Sequence, residues 1–336
     1  MGKNSRQPAA FVGEFRRVVV VSDIHYAGPI EQGRRDHEAR AVPNPLVRTL
    51  LRAYRRYVWL RNPQSHTYML DRFLAAAPDA DLAVALGDLS CDTAFVGAQD
   101  EGAFQSVKLC VEKLTDRFGA AKLRIALGDH DLGKKSLAGG VGGPHFASLE
   151  RLRRELALPP FWTERLGPWR FVGVTSTLVA LPVFLPELDP EERKQWEAAR
   201  REHLEAIRRV FLDLAPEERL FLCCHDPTAL PFLWELSEAR ERARQLEATL
   251  IGHLHTPLVL RLSGLLAGMP QINFLGNTVR RLSSALRRAR DWKPFRVRLC
   301  PSLTGIQLLK DGGFWEILLP PETSRRPIWR FHPLPW

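Results

Sequence analysis

A chain of 336 residues with 45% apolar and 26% charged side chains has the composition of an ordinary soluble globular protein and can bury a large core. Its 48 basic and 38 acidic residues leave a formal charge of +10, which favours anionic partners such as nucleic acid, phosphorylated metabolites or an acidic lipid surface. Five cysteines without a CxxC pair argue against a disulfide framework and a structural zinc site, and no apolar run reaches the roughly 18 residues that a membrane span needs.

Residues 1–14 read as a loose basic tail without a signal-peptide pattern, so a reducing, cytoplasmic location is expected. Arg16 to Ser22 reads as the first strand, its run Val18 to Val21 typical of a buried central strand. A long insertion, residues 26–79, follows and carries two expected helices, Pro45 to Trp59 and Ser65 to Ala77. Strand Asp81 to Leu86, helix Glu101 to Phe118 and strand Lys122 to Leu127 continue an alternation that marks an α/β fold. A Gly-rich loop, Gly133 to Gly143, precedes helix Phe146 to Leu156, strand Arg170 to Thr175 and a long charged helix, Pro190 to Leu214. Strands Leu220 to Cys224 and Thr249 to Ile251 come next. Beyond Pro257 the pattern turns β-like at 258–262, 271–274, 296–299, 305–309 and 314–319, interrupted by one basic helix, Thr278 to Arg290. The residues after 320, rich in proline, are expected to form an extended tail.

Five of the apolar runs end on Asp or His. They close as Asp23-Ile24-His25, Gly87-Asp88, Gly128-Asp129-His130-Asp131, His225-Asp226 and Gly252-His253-Leu254-His255. Hard oxygen and imidazole donors gathered at strand exits are what a pair of divalent cations needs, and open α/β folds bind ligands at that edge. In Asp-x-His and His-x-His the first and third residues would share a direction on the pleat. The glycines allow close approach of backbone to a metal site. Asp131 is expected to orient His130 or cap a turn, and Asp226 to form the turn before Pro227. His37, His66, His145, His203 and His332 have no motif around them and are read as structural.

The five motifs, in this chain order over about two thirds of the sequence, resemble those of the calcineurin-like metallophosphoesterase superfamily. The resemblance implies a four-layer α/β/β/α sandwich over residues 15–320, here with the helical insertion 26–79, a β-rich C-terminal part and a tail at 321–336. It also implies two divalent metal ions, manganese first, with iron or zinc as other candidates. Asp23, His25, Asp88 and His255 would hold the first metal, and Asp88, Asp129, His225 and His253 the second, with Asp88 bridging. His130 would sit beside the leaving-group oxygen while a water activated by both cations attacks phosphorus in line. Asp129 stands where the family usually has Asn; it can still be a ligand, or it can take a proton from water as a general base. Its charge would weaken phosphate binding unless an arginine compensates.

Two features bear on the substrate. The insertion sets Arg48, Arg52, Arg55, Arg56 and Arg61 among Leu50, Leu51, Tyr54, Tyr57, Val58 and Trp59, and the later basic helix is similarly mixed. That suits a lipid-linked or other phosphorylated small molecule and peripheral contact with an anionic membrane, at the inner membrane surface. The competing account is that these helices pack one face on the core and solvate the other. A nuclease or cyclic-nucleotide phosphodiesterase is the alternative, with nucleic acid the lesser partner because no DNA-binding module follows His255. A non-catalytic scaffold on the same fold would be expected to have lost ligands that this chain retains.

Overall fold

The computed structural model describes residues 14–138, 140–272 and 277–336, so nearly all of the expected basic tail and residues 273–274 lie outside the described residues. Ten strands are present among them: β1 (Arg16–Val21), β2 (Leu82–Ala85), β3 (Leu123–Ile125), β4 (Phe161–Leu166), β5 (Trp169–Val174), β6 (Arg219–Cys224), β7 (Leu246–Ile251), β8 (Val297–Leu299), β9 (Gly313–Leu319) and β10 (Ile328–Pro333). They form two mixed five-stranded sheets, ordered β10-β9-β1-β2-β3 and β4-β5-β6-β7-β8. β1, β2 and β3 run parallel, as do β5 to β8; β4 and β9 pair antiparallel with β5 and β1.

Period-two alternation assigns each strand residue to a layer. Val18 and Val20 of β1 point between the sheets and pack with Trp169, Phe171 and Phe221, whereas Val19 and Val21 point outward to Phe73, Phe104 and Val107. β6 does the same: Phe221 and Cys223 face the other sheet, and Leu220, Leu222 and Cys224 face Ile207, Val210 and Phe211 of the helix Arg193–Leu212. Continuous apolar runs therefore serve strands buried on both faces, and the result is the expected α/β/β/α layering. A fully buried aromatic such as Phe73 or Phe171 contributes about 3 kcal/mol of transfer free energy.

Local signals start the main helices. Asn44 accepts from the Leu46 and Val47 N–H groups ahead of the helix Pro45–Tyr57, with Pro45 in its first turn. Asp100 caps the helix Glu101–Phe118 by accepting from Ala103 N–H, and Gly119 ends it at φ 82°.

The β-like reading of the C-terminal part holds at β8 and β9 and is corrected at two other runs. Residues 258–262 lie in a helix, Pro257–Leu265, started by Thr256, whose hydroxyl accepts from Leu258 N–H. Residues 305–309 form turns rather than a strand. The expected tail contains β10, paired along β9 from Ile328–Leu318 to Pro333–Gly313, and Trp336 Nε1 donates to Thr304 O at 2.6 Å. β4 was not foreseen; its polar residues Thr163, Glu164 and Arg165 suit an edge.

Candidate metal centre

Both sheets direct the C-terminal ends of their parallel strands at one place. β1 delivers Asp23 and His25, β2 Asp88, β3 Asp129 and His130, β6 His225, and β7 His253 and His255. The shared direction within the two short motifs does not come from a continued pleat. Asp23 and His25 both have φ 48°, His253 and His255 both 60°, and Asp88 55°, so successive left-handed turns present the side chains. Gly87 has φ 93°. Gly128 and Gly252 answer a different need: a Cβ on Gly128 would collide with Asp88, and one on Gly252 with Ser22 and Asp23.

Every residue singled out as a ligand in the sequence joins a cluster. Donor atoms of Asp88, Asp129, His225 and His253 lie within 4.8 Å of one another, as do those of Asp23, His25 and His255. His225 Nε2 is 3.2 Å from Asp88 Oδ2 and 3.3 Å from Asp129 Oδ1, and His253 Nδ1 is 3.3 Å from the same Asp129 oxygen. In the other cluster His255 Nε2 is 3.3 Å from Asp23 Oδ1 and 3.5 Å from His25 Nε2. His130 Nε2 lies 3.7 Å from Asp88 Oδ2. Asp129 Oδ1 and His225 Nε2 are buried and make no hydrogen bond, which is the condition of donor atoms shaped for a cation. Carboxylate and imidazole donors of this kind fit divalent metals.

Backbone contacts fix the rings. His225 Nδ1 donates to Leu86 O at 2.7 Å and His130 Nδ1 to Cys91 O at 2.9 Å, since a carbonyl can only accept; each ring is left with Nε2 toward the cluster. Asp131 accepts from the N–H groups of Gly128, Asp88 and Leu89, so it caps the turn and does not touch the His130 ring. Asp226 forms the expected turn by accepting from Thr228 N–H at 2.8 Å, and also stands 3.8 Å from His253 Nε2. Asp92 is buried and holds the following loop through Val96, Gly97 and Lys134 N–H groups.

The charges balance through protons. Burial pushes the Asp88 carboxyl up to about 7, against His225 and with the Asp129 charge adding to the rise. Burial alone would lower His225 and His253, but Asp88 and Asp129 beside the first, and Asp226 and Asp129 beside the second, raise His225 well above its usual value and His253 to about 9. Burial holds His25 down to about 3, and His130 is likewise held well below its usual range, with Lys134 and His25 adding to the effect. A cation bound at the Asp129 cluster would therefore displace protons from the imidazoles of His225 and His253.

No family model matches the chain, and no curated protein matches it. Among solved structures it is similar to a phosphopantetheinyl hydrolase from Mycobacterium tuberculosis, with 18% identity over 73% of this chain and 85% of the other and a TM-score of 0.35. It is similar to a dimetal phosphatase from Danio rerio, with 10% identity, 94% and 99% coverage and a TM-score of 0.41. A purple acid phosphatase from yellow lupin seeds matches at 13% identity over 72% of this chain and 38% of its own, with a TM-score of 0.37. The five motifs converge as two adjoining donor clusters at the edges of a double sheet. Their order along the chain resembles that of the calcineurin-like metallophosphoesterases.

Around this donor cluster the structure adds residues that the motifs did not reveal. Arg281, on the basic helix (Asn277–Arg287 in the structure), places Nη2 3.4 Å from Asp129 Oδ2 and Nη1 3.8 Å from Glu187 Oε2. It supplies the arginine that the Asp129 substitution calls for. Lys134, just after the third motif, lines the same cavity and pairs with Glu38 at 2.9 Å. The insertion reaches the centre through Trp59, whose ring lies 4.7 Å from that of His255. His37, read as structural, also borders the cavity, where Gln64 Nε2 donates to its Nδ1 at 2.8 Å. The sequence marked Arg281 only as one arginine of a basic helix and offered no signal for Glu187, because neither belongs to a motif.

Proposed function

We infer that the chain is a binuclear-metal phosphohydrolase cleaving a phosphate ester or pyrophosphate bond. The observation that carries this reading is the convergence of seven Asp and His side chains from five strand exits, two of their buried donor atoms lacking any hydrogen bond. Asp23, His25, Asp88 and His255 would hold one ion, and Asp88, Asp129, His225 and His253 the other. Two divalent cations, manganese being the first choice, supply charge neutralisation at phosphorus and make water acidic enough to act as a nucleophile at neutral pH.

The chain's own groups do the rest. His130, tied through Nδ1 to the Cys91 carbonyl, turns Nε2 toward the cluster as the atom that would take up a proton from solvent and pass it to the departing oxygen. Lys134 and Arg281 line the cavity and provide cationic donors to the non-bridging phosphate oxygens. One Asp129 oxygen faces His225 and His253 and the other faces Arg281, which favours a ligand role for Asp129 over that of general base. The lining of the cavity, about 300 Å³, divides in character between the charged and imidazole groups and the apolar Trp59, Leu60, Leu254, Val259, Leu286 and Trp292. A phosphoester with an apolar group attached fits that division better than a free polyanion.

The test is hydrolysis of aryl phosphate mono- and diesters by the purified chain after loading with Mn²⁺, Fe²⁺, Zn²⁺ or Mg²⁺, together with elemental analysis. Turnover that depends on metal and disappears with chelator is expected, with two ions per chain. No turnover with any of the four metals, in protein shown to be folded, would refute the reading.

A further inference from the structure

The helix Pro45–Tyr57 faces the wrong way for one packed on a core. Leu46, Leu50 and Tyr57 are 76%, 70% and 63% exposed, and Leu51 is its buried residue. The same helix carries Arg48, Arg52, Arg55 and Arg56 and no carboxylate. A second helix, Pro257–Leu265, repeats the pattern: Leu258, Leu262 and Leu265 are exposed, the last by 82%, and its one charged residue is Arg261. A third segment exposes Leu308 and Leu309.

These three segments form one rim. Leu308 N–H donates to Val58 O at 3.2 Å, just past the first helix, and Thr256 Oγ1 donates to Asp311 Oδ2 at 2.6 Å, just before the second. Tyr54 from the first helix, Trp59 just past its end, and Val259 and Ser263 from the second line the cavity that leads to His255. Single exposed leucines are ordinary, but apolar tips on three tied segments around a cavity mouth, with arginines interleaved, are the pattern of a surface that seats in lipid.

We propose that this rim docks on an anionic membrane surface, with Leu46, Leu50, Leu262 and Leu265 inserted at the acyl boundary and the exposed Arg56 and Arg261 set against lipid phosphates, while Arg52 stays paired with Asp36 and Arg48 with the Val42 carbonyl. Charge decides among occupants. A dissolved polyanion would answer the arginines but leave the leucines wet, and a second copy would bring two basic rims together. The first 13 residues, with Lys3 and Arg6, have the same sign. No helix among the described residues is long and apolar enough to cross a membrane, and each exposed face is one helix deep, so the contact is peripheral. Where the phosphohydrolase reading holds, the cavity mouth then opens onto the bilayer and takes an amphipathic phosphoester from it.

Vesicle flotation of the full chain tests the docking. The chain is expected to float with vesicles containing phosphatidylglycerol, to stay down with pure phosphatidylcholine, and to release as salt is raised. The triple variant Leu50→Ser, Leu262→Ser, Leu265→Ser should lose about tenfold or more of that binding while hydrolysing a small water-soluble aryl phosphoester at the parent rate. Failure of the parent chain to float on anionic vesicles at low salt overturns the proposal. So does a variant that floats equally well, or light scattering that finds a dimer which the variant dissociates. Flotation needs neither metal nor turnover, so binding without hydrolysis would leave the docking standing and remove the catalytic reading instead.

Discussion

Replacing Arg281 with Gln removes one buried positive charge from between two buried carboxylates. The side chains of Asp129 and Glu187 are 7% and 1% exposed, and Arg281 stands 3.4 and 3.8 Å from them. At an effective dielectric of about 20, those separations correspond to attractions of about 5 and about 4 kcal/mol. Desolvation of the guanidinium offsets much of this, and removing one member of a buried pair costs about 3–5 kcal/mol. Arg280, 3.5 Å from Glu187 Oε1, still partners that carboxylate, so the loss falls mainly on Asp129. In a chain of this size a change of that order lowers the melting temperature by about 4–7 °C. The assay is thermal unfolding of both proteins in chelator and again with Mn²⁺. A cation near Asp129 replaces the missing charge, so the gap between variant and parent should close by about half when metal is added. A variant melting within about 1 °C of the parent in chelator, or one that metal protects less than the parent, would refute the electrostatic account of this pair.

His130→Ala should lower kcat by about 10²-fold or more with metal content unchanged; parallel loss of metal would make His130 a ligand. Asp129→Asn frees Arg281 and removes a negative charge from the phosphate's approach, so KM should fall several-fold with kcat within about tenfold of the parent. A fall in kcat of about 10³-fold would instead mark Asp129 as a proton acceptor. His203 is 4% exposed, its Nε2 accepts from Thr175 N–H at 3.1 Å, and burial holds its pKa at about 3 against 6.5 for the free group. Because the folded value is the lower one, its contribution is complete above pH 6.5 and is lost as pH falls from there toward 3, at about 1.4 kcal/mol per unit. Relative to His203→Gln, which keeps an acceptor, the parent should lose about 2 kcal/mol of unfolding free energy between pH 6.5 and 5, read from urea denaturation. A pH-independent difference would place His203 in water.

The sandwich and its donor cluster were legible because both leave short-range marks. Val18 to Val21 had to be apolar on both faces, and the Asp and His residues sit where strands stop, so chemistry and register coincided in Asp23, Asp88 and His225. The helix Pro257–Leu265 was misread because Leu258-Val259-Leu260 is too short a run for period to decide, although Thr256-Pro257 is a helix start. β10 was hidden by Pro333 within it and by Pro327 and Pro335 on either side, which an edge strand accommodates. Arg281 meets Asp129 across 152 positions through a helix that carries no motif, and the exposure of Leu46 and Leu50 depends on where the insertion lies, not on its own pattern.

Holding Asp23, His25, Asp88, His253 and His255 at φ between 48° and 60° costs about 1 kcal/mol apiece relative to ordinary backbone basins, or on the order of 5 kcal/mol together. Glycine at any of these positions would relieve that cost and delete a donor. Directed evolution for heat resistance in the presence of chelator and directed evolution for turnover in the presence of manganese should therefore pull the same five codons in opposite directions.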